Sequence, residues 1–451
     1  MGTISPVEKL SKAIGFPTVS YQEKNRIDYG IFEGFIGFLR STFPALHGKL
    51  EQELINRYTL LYRWKGSKSG AGKKPLLLMA HYDVVPASEK DWRHTPFGGE
   101  VAEGQIWGRG SLDNKSSLIG ILEATERLIV KGFEPARDIY ILSGHDEETS
   151  GYQGSRVAVS LLEKRGVKIE TIVDEGLTIV EPDIMPLFKR PMALVGIAEK
   201  GIMDVTVTAR GFSGHASMPP RSTAIGLLSR AITRIEENPF PGRITDVIRL
   251  FLKKMGREAG GVKGMILRYP VLFGPLIKRV FSLSPVSDAM IRTTQAVTML
   301  KGGEKENILP PSASANINIR ILPGDSIEGV LKRYRRLISA MGVRVEAVGD
   351  IPPSEPVSES DVNSLDYLAL EDTIREVYPD VGVAPFLVLA TTDSRHFRGK
   401  ANNIYRFVPL WMTGEKLQTV HGTNERIGVD EFLKLIYFYE KLIERAGNLK
   451  G

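Results

Sequence analysis

The sequence predicts an α/β protein with a doubly wound, mostly parallel sheet, into which a small α+β domain is inserted. Three observations support this fold class. Apolar runs of strand length alternate with amphipathic runs of helix length up to about residue 200. The next stretch carries strands that alternate apolar and polar residues, as expected for a sheet with one exposed face. After a linker rich in Pro, Ser and Glu (351–360), the first pattern returns.

The order of these elements sets the predicted boundaries. We assign residues 1–200 and 351–451 to the large domain and residues 201–350 to the small domain. The predicted strands of the large domain are 58–64, 75–80, 138–143, 170–173, 193–198, 385–390 and 404–408, and its helices are 116–130, 150–164, 365–378 and 430–446. The predicted strands of the small domain are 203–208, 296–301, 313–321 and 343–348, and its helices are 222–236 and 325–340.

The composition is that of a globular protein, with 42% apolar and 25% charged residues in a chain of 451. This balance excludes a disordered, collagen-like or continuous coiled-coil chain. No apolar run reaches the ~18 residues of a membrane span, and the N-terminus lacks the pattern of a signal peptide. The absence of cysteine excludes disulfides, thiolate metal sites and a cysteine nucleophile. As written, the chain is expected in the cytoplasm, whereas a leader removed from it would fit secretion.

Five polar clusters follow predicted strands or glycine-rich turns. They are LLLMAHYDVVP with His81 and Asp83, WGRGSLDNK with Asp113, ILSGHDEETSG with Glu147 and Glu148, TIVDEG with Asp174, and TVHGTNERI with His421. Ligands bind beyond the carboxyl ends of the strands in open parallel sheets, so these side chains are expected to converge. Two histidines and several carboxylates suit two divalent cations that share one carboxylate.

Each cluster taken alone also has an ordinary interpretation. Asp113 lies at the start of a predicted helix, where aspartate is a common N-cap. Glu147 and Glu148 fit a solvated turn. By contrast, Asp83 lies two residues after His81, on the same side of an extended chain. There its carboxylate is placed to accept the second N–H of a metal-binding imidazole.

The longer runs GHDEETSG, IVDEG, SGHAS, NILPP, TDSRHF and HGTNE add a resemblance that spans Leu76 to about Ile427. In order and spacing they resemble the di-zinc metallopeptidase family of aminoacylase, succinyl-diaminopimelate desuccinylase and carboxypeptidase S. They are most similar to the carboxypeptidase S branch, which includes the N-fatty-acyl-amino-acid hydrolases/synthases. The resemblance implies a zinc-peptidase catalytic domain with an inserted lid and dimerisation domain.

The resemblance also implies a role for each clustered residue. It implies two Zn²⁺ ions, with Co or Mn as substitutes, and a cis peptide bond between Asp113 and Asn114. The implied ligands are Asp113 as the bridge, His81 and Asp174 at one metal, and Glu148 and His421 at the other. Glu147 would be the general base for the attacking water.

In the inserted domain, the resemblance assigns His215 of SGHAS to polarisation of the substrate carbonyl. Asn307, Arg320 and Arg395 match positions on the substrate side. An arginine can bind a carboxylate through two parallel hydrogen bonds, so Arg320 and Arg395 are candidates for the free carboxylate of an amino acid. One departure is Ala390-Thr391, where many relatives carry Gly-Gly.

These roles favour an amidohydrolase that cleaves, and also forms, the amide bond of N-acyl amino acids, with N-fatty-acyl amino acids as leading substrates. A carboxypeptidase or dipeptidase that acts on Gly-Xaa substrates is the alternative enzyme. A metal-free ligand-binding relative is the alternative that is not an enzyme. The implied partners are a small N-acyl amino acid or short peptide, together with a second copy of the chain that pairs through the lid.

The net charge of +6 comes from one segment, 241–292, in which ten Lys or Arg oppose three Asp or Glu. A basic surface over the whole chain is therefore absent, and we expect no nucleic-acid partner. Apolar and basic residues interleave in this segment at helical spacing. One interpretation is an insertion that packs on the lid with its charges in water. The other is an apolar wall for a long acyl chain that also contacts lipid or membrane surfaces.

Overall fold

The computed structural model describes residues 4–67, 72–185, 187–349 and 351–449. Its strands are β1 (Glu51–Ile55), β2 (Thr59–Trp64), β3 (Leu76–His81), β4 (Val101–Ala102), β5 (Gln105–Trp107), β6 (Ile139–Gly144), β7 (Ile169–Asp174), β8 (Ile179–Val180), β9 (Met192–Glu199), β10 (Gly201–Arg210), β11 (Gly214–His215), β12 (Thr294–Lys301), β13 (Ile308–Leu309), β14 (Ser312–Ile321), β15 (Val343–Ala347), β16 (Gly382–Val388), β17 (Ala401–Arg406), β18 (Trp411–Met412) and β19 (Arg426–Gly428). Its helices are α1 (Pro6–Ile14), α2 (Tyr29–Thr42), α3 (Pro44–Lys49), α4 (Lys115–Val130), α5 (Ser155–Lys164), α6 (Ala224–Glu236), α7 (Asp246–Ala259), α8 (Gly261–Arg268), α9 (Pro270–Phe281), α10 (Pro285–Ile291), α11 (Ile327–Ile338), α12 (Leu365–Val377), α13 (Gly414–Leu417) and α14 (Val429–Gly447).

The large domain is built on a ten-stranded mixed sheet, ordered β1-β2-β6-β3-β7-β17-β9-β8-β18, with β16 paired to β9. Strands β6, β3, β7 and β17 are parallel neighbours at its centre. Successive residues of β3 point to opposite faces: Leu76 and Leu78 join one core cluster, and Leu77 and Met79 join another. Helices α4 and α14 contribute to the first core and α5 to the second, so the predicted doubly wound α/β fold is confirmed.

The small domain is an antiparallel four-stranded sheet, ordered β12-β14-β10-β15. Its apolar positions pack against helices α6 and α11 in a separate core. Val205 and Val207 are fully buried there, whereas Thr206 and Thr208 between them are half-buried on the other face. This is the one-sided sheet that the alternation of the sequence predicted. The domain boundaries at residues 200 and 351 stay a prediction.

The chain crosses between the two sheets at Gly201. Extended residues on either side of it pair with the returning chain, Glu199 with Val357 and Ile202 with Ser354. A Cβ at Gly201 would lie 2.4 Å from the carbonyl oxygen of Ser354. Only glycine therefore allows the outgoing and returning chains to lie this close together.

The basic segment 241–292 forms helices α7 to α10, and its packing corrects one interpretation of the sequence. Helix α7 does not pack on the small domain but joins the core of the large one. The ring of Phe251 lies 4.9 Å from that of Phe386 in β16. Lys254 and Glu258 of α7 form ion pairs with Glu371 and Arg190. The apolar face of α7 thus covers β16 of the large sheet.

Candidate metal centre

Three neighbouring parallel strands end at one edge of the large sheet and bring distant residues together there. His81 is the last residue of β3, and Glu147 and Glu148 follow β6 beside it. On the other side of β3, strand β7 ends at Asp174 and Glu175 follows. Polar residues that follow parallel strands meet because these strands all end at the same edge.

Two groups of potential metal ligands meet at this edge, and they share Asp113. In the first, the His81 Nε2 atom lies 2.9 Å from Asp113 Oδ1 and 3.4 Å from Glu175 Oε1. In the second, the His421 Nε2 atom lies 3.1 Å from Asp113 Oδ2 and 3.3 Å from Glu148 Oε2. Each oxygen of Asp113 thus faces a different histidine, which is the arrangement of a carboxylate that bridges two cations.

The pKa values of the site residues reflect this crowding of acids and imidazoles. Burial raises the pKa of Glu175 to about 7, and burial likewise raises the pKa of Glu148. Burial alone would lower the pKa of His81, but the charge of Glu175 and hydrogen bonds with neighbouring carboxylates raise it well above its usual value. Hydrogen bonds with Asp113 and Glu148 raise the pKa of His421 to about 10. The raised pKa values of the acids thus come mainly from burial, and those of the imidazoles from the neighbouring carboxylates.

The donor atoms fit a pair of divalent cations. Imidazole nitrogens and carboxylate oxygens are the ligands of zinc sites without cysteine. The ligand atoms within each group lie within 4.8 Å of one another. In addition, Glu148 Oε1 is buried and has no hydrogen-bond partner among the described residues, so it is free to bind an ion.

Asp83 orients the first ligand group by contacting the Nδ1 side of the His81 ring. The His81 Nδ1 atom lies 3.0 Å from the carbonyl oxygen of Asp83 and 3.4 Å from its carboxylate, which leaves Nε2 of the ring facing Asp113. The Asp83 carboxylate also accepts hydrogen bonds from the backbone N–H groups of Glu147 and Glu148, each at 3.1 Å, and from the Ser20 hydroxyl at 2.7 Å. The predicted role of Asp83 beside His81 therefore extends to holding the turn that carries both glutamates.

Glu425 ties the turn before Asp113 to the turn that carries His421. One of its carboxylate oxygens accepts hydrogen bonds from the backbone N–H groups of Gly110, Leu112 and Asp113, at 2.7 to 3.1 Å. The other oxygen pairs with Arg109, and both side chains are buried. The peptide bond between Asp113 and Asn114 is cis, as the resemblance implied.

Two adjacent acids lie at the end of β7. Asp174 belongs to neither group: its Oδ2 atom accepts a hydrogen bond of 3.0 Å from the backbone N–H of Ser394. The next residue, Glu175, belongs to the first group and is a second candidate for this position, while Asp174 as the ligand stays a prediction. Asp174 is still part of β7 and faces the neighbouring loop, whereas Glu175 lies just beyond the end of the strand, where the chain turns towards His81.

Comparisons with known proteins agree with this geometry. The sequence profile described as Peptidase family M20/M25/M40 matches residues 77–445. The chain belongs to this M20 family. It is 38% identical over 451 residues to the probable carboxypeptidase S-like 2 of Dictyostelium discoideum, covering 98% of this chain and 86% of that protein. It is 37% identical over 447 residues to the N-fatty-acyl-amino acid synthase/hydrolase PM20D1 of Homo sapiens, covering 97% and 87%.

A solved structure is similar to this M20 chain over nearly its whole length. The M20 family metallo-carboxypeptidase Sso-CP2 from Sulfolobus solfataricus matches with a TM-score of 0.69, covering 98% of this chain and 99% of that one, at 18% identity. Identity this low shows a common fold. With the family membership and the two ligand groups, the chain is a metal-dependent hydrolase.

Glu147 lies beside the ligand groups of this M20 enzyme without belonging to either. Burial raises its pKa well above the usual value, and the charges of Glu175 and Asp393 act in the same direction. Its backbone is held through Asp83, so the side chain is free for another role. A partly buried carboxyl next to a metal centre, with a raised pKa, is suited to accept and return a proton.

Two of the predicted substrate-side residues lie together on the small domain. Strands β11 and β13 pair His215 with Ile308, and the carbonyl oxygen of Asn307 accepts a hydrogen bond from the N–H of Ala216. His215 and Asn307 are both exposed. His215 Nδ1 lies 3.2 Å from the N–H of Ser217, which is the geometry of an acceptor and leaves Nε2 of a neutral ring as the donor.

The two predicted arginines lie near each other but in different environments. Arg395 is buried and donates to the carbonyl oxygens of Ser150, at 2.7 Å, and Thr392, at 3.3 Å. The half-buried guanidinium of Arg320 has no hydrogen-bond or ion-pair partner in the described part of the chain. Burial lowers the pKa of Arg320, and the charge of Arg395 lowers it further. Arg320 is thus the better placed of the two to receive an anionic group.

Sequence reasoning missed three residues that support this site: Glu175, Glu425 and Glu199. Glu175 and Glu425 lie inside the quoted motifs IVDEG and HGTNE, so the signal was present but was assigned to their neighbours. Glu199 is buried, pairs with Arg406 at 2.6 Å and accepts a hydrogen bond from Thr392. This contact anchors the loop that follows Ala390-Thr391, the pair that stands where many relatives carry Gly-Gly. Ala390 is exposed and Thr391 is half-buried.

Proposed function

We propose that this M20 hydrolase cleaves the amide bond of N-acyl amino acids, and catalyses its formation in reverse, at a centre of two Zn²⁺ ions. The observation that carries the proposal is the position of Asp113 between two histidines, with Glu147 beside the pair. His81, Asp113 and Glu175 would hold one ion, and Asp113, Glu148 and His421 the other. Cobalt or manganese ions are expected to substitute, since the ligand types do not select zinc alone.

Bound metals would lower the pKa of a water towards ~7 and polarise the substrate carbonyl. The residues of the chain supply the remaining steps. Glu147 takes the proton of the attacking water and returns it to the nitrogen of the leaving amino acid. His215, through its Nε2–H, donates to the carbonyl oxygen once the lid closes or once a second subunit presents it. Arg320 and Asn307, with Arg395 behind them, bind the free carboxylate of the amino acid.

The human relative named as an N-fatty-acyl-amino acid synthase/hydrolase supports fatty-acyl amino acids as the leading substrates. The Dictyostelium relative named as carboxypeptidase S-like 2 supports the alternative, a carboxypeptidase of Gly-Xaa substrates. Both reactions release an amino acid with a free carboxylate, so the same Arg320 would serve either one. The two differ in the group on the other side of the scissile bond.

The deciding experiment measures turnover of the zinc-loaded protein on N-palmitoyl-, N-acetyl- and Gly-leucine, with bound metal measured in the same sample. We expect about two metal ions per chain and the highest kcat/KM on the palmitoyl substrate. A preference for Gly-leucine would favour the carboxypeptidase. Metal-loaded protein without activity on all three substrates would contradict the proposal, and protein that retains no metal would favour a ligand-binding relative.

We also propose that helices α8 to α10 contact lipid surfaces. Several apolar side chains there are exposed, among them Val271 at 87% and Leu283 at 80%. The basic residues Lys263, Arg268 and Arg279 are exposed on the same helices. Apolar and basic side chains on short helices fit an interfacial surface over anionic lipid. Among the described residues, no helix combines the length and hydropathy needed to cross a bilayer.

The test of this surface is flotation with vesicles that contain anionic lipid, compared with neutral vesicles. We expect binding to the anionic vesicles that weakens in the double variant Val271→Ser, Leu283→Ser. Equal recovery of variant and native protein with the vesicles would contradict the contact.

Pairing of two copies through the small domain is the second proposed contact. Its edge strand β12 exposes Met299 and Leu300, and Phe212 and Met218 are exposed beside His215. Apolar side chains of this kind are common in the core of subunit interfaces. We expect a dimer by light scattering, which Leu300→Asp would convert to a monomer; a native monomer would contradict the pairing.

A further inference from the structure

An apolar cavity of about 300 Å³ opens directly onto the metal centre. Asp113 and Glu175 form its polar end, and twelve of its sixteen lining residues have apolar side chains. Among the residues that the structure describes, no lysine, arginine or histidine lines it. The two proposed metal ligands form only its polar end, so its apolar body calls for a separate explanation.

The walls of the cavity come from two chain segments that follow sheet strands. The segment after β7 contributes Leu177, Ile184 and Met185, and the segment around β18 contributes Met412 and Val420. These side chains range from buried to half-buried, while Leu417 at the edge is 50% exposed. The cavity is therefore an open slot with an acidic end at the metals and an apolar body.

We infer that this slot binds the acyl chain of the substrate, with the chain running from the metal centre between Met185 and Val420. The inference rests on the proposed function, which places an amide carbonyl at the metals. No cationic side chain of the described residues lines the slot, so the free carboxylate of the amino acid would be buried there without a partner, which is unfavourable. An uncharged hydrocarbon chain matches the apolar lining, because its burial releases water from the apolar surfaces of both the chain and the cavity.

Segment 241–292 contributes no lining residue to this slot but supports it from outside. Phe386, a lining residue, packs against Phe251 of helix α7, which in turn packs against Phe188. Phe188 lies in the same short segment as Ile184 and Met185. The basic segment thus supports one wall of the acyl slot from outside. This differs from the expectation that the segment itself would form a wall in contact with the acyl chain.

Each methylene buried in the slot should raise kcat/KM about fourfold, which corresponds to ~0.8 kcal/mol per methylene. The gain should stop once the chain fills the slot. A bulky side chain on the wall should shorten the usable length of the acyl chain. A change elsewhere in the site would instead lower the turnover of every substrate alike, whatever the length of its acyl chain.

The experiment measures kcat/KM on N-acyl leucines with acyl chains from acetyl to palmitoyl, for the native protein, Met185→Trp and Val420→Trp. The matched control is Leu187→Trp, which alters an exposed side chain of the same segment outside the slot. We expect kcat/KM to rise with length in the native protein and the control. In the two slot variants it should level off at a shorter acyl chain than in the control.

A parallel measurement is the affinity of the zinc-loaded protein for fatty acids from butyrate to palmitate, by calorimetry. Affinity that rises with length in the native protein and not in the slot variants supports the slot even without turnover, in which case the proposed function alone fails. Turnover with no dependence on acyl length overturns the slot and leaves the proposed function intact. Slot variants that instead alter the response to the amino-acid side chain, tested on N-acetyl-alanine, -leucine and -phenylalanine, would also overturn the acyl assignment.

Discussion

The carboxylate of Asp83 accepts a hydrogen bond of 3.1 Å from the backbone N–H of Glu147. Asp83 therefore connects a candidate metal ligand, His81, to the candidate base, although it belongs to neither metal group. Since the carboxylate is fully buried, each of its oxygens depends on these few donors. The relative position of metal and base is thus set by a residue that touches neither substrate nor metal.

We expect Asp83→Asn to lower kcat by about 10- to 100-fold, the range found for residues that orient metal ligands. An amide offers only one acceptor oxygen, so at least one of the N–H groups of Glu147 and Glu148 loses its partner. The measurement is steady-state kinetics with metal content determined in parallel. Ser20→Ala, which removes a single hydroxyl from the same carboxylate, is the milder control. An Asn variant as active as the Ala control would contradict this role of Asp83.

The choice between Glu175 and Asp174 is tested by metal stoichiometry. We expect Glu175→Gln to bind one metal ion tightly in place of two, because an amide is a poorer ligand than a carboxylate. Asp174→Asn should retain both ions, since its carboxylate is occupied by the N–H of Ser394. Atomic emission on dialysed protein measures both. The opposite pattern would restore Asp174 as the ligand.

Glu147→Gln should keep the metals and the fold but lower kcat by about 10²- to 10⁴-fold, since it removes only the proton transfer. KM should change little, because Glu147 contributes no contact to the carboxylate of the amino acid. Pre-steady-state and steady-state rates on the best substrate provide the measurement, with metal content as the control. Near-native kcat in this variant would eliminate Glu147 as the base.

Arg320→Ala should raise KM for substrates with a free carboxylate and leave their methyl esters unaffected, because only the former need the guanidinium. Arg320→Lys should recover part of the loss, as an ammonium binds a carboxylate without the paired geometry. Arg344→Ala, on strand β15 of the same sheet, is the matched control because its partner is Glu346 of its own strand. Equal losses on acids and esters would refute carboxylate recognition by Arg320.

Glu425→Ala should lower the free energy of unfolding by about 3–5 kcal/mol, because it leaves Arg109 as an uncompensated buried charge. It also removes the acceptor of three backbone N–H groups beside Asp113, so metal affinity should fall as well. Urea denaturation measures the first effect and competition with a chelator the second. Glu415→Ala breaks an exposed ion pair with Arg426 and should change neither quantity noticeably. A Glu425 variant that behaves like this control would contradict the anchoring role.

The amino-acid sequence by itself determined the longer strands of both sheets and the clustering of polar residues after them, whereas helices α1 to α3 and the short strands such as β4 and β8 were not predicted from it. Strand β3 was predicted at 75–80 and lies at Leu76–His81, and helix α14 was predicted at 430–446 and lies at Val429–Gly447. Period and length are local properties of the chain, so they can be predicted without knowledge of tertiary contacts. The bridging role of Asp113 was implied by the resemblance and stays a prediction.

The tertiary structure decided what depends on contacts between distant segments. Asp174 and Glu175 are adjacent in sequence, and only the folded chain shows that Asp174 accepts the N–H of Ser394 while Glu175 lies 3.4 Å from the imidazole of His81. The sequence shows that helix α7 has an apolar face. Whether this face packs on the small domain or on the large sheet is decided by the tertiary structure. The acyl slot is lined by segments more than two hundred residues apart, so its volume exists only in the folded chain. Burial and cavities are properties of three-dimensional packing, and no local pattern encodes them.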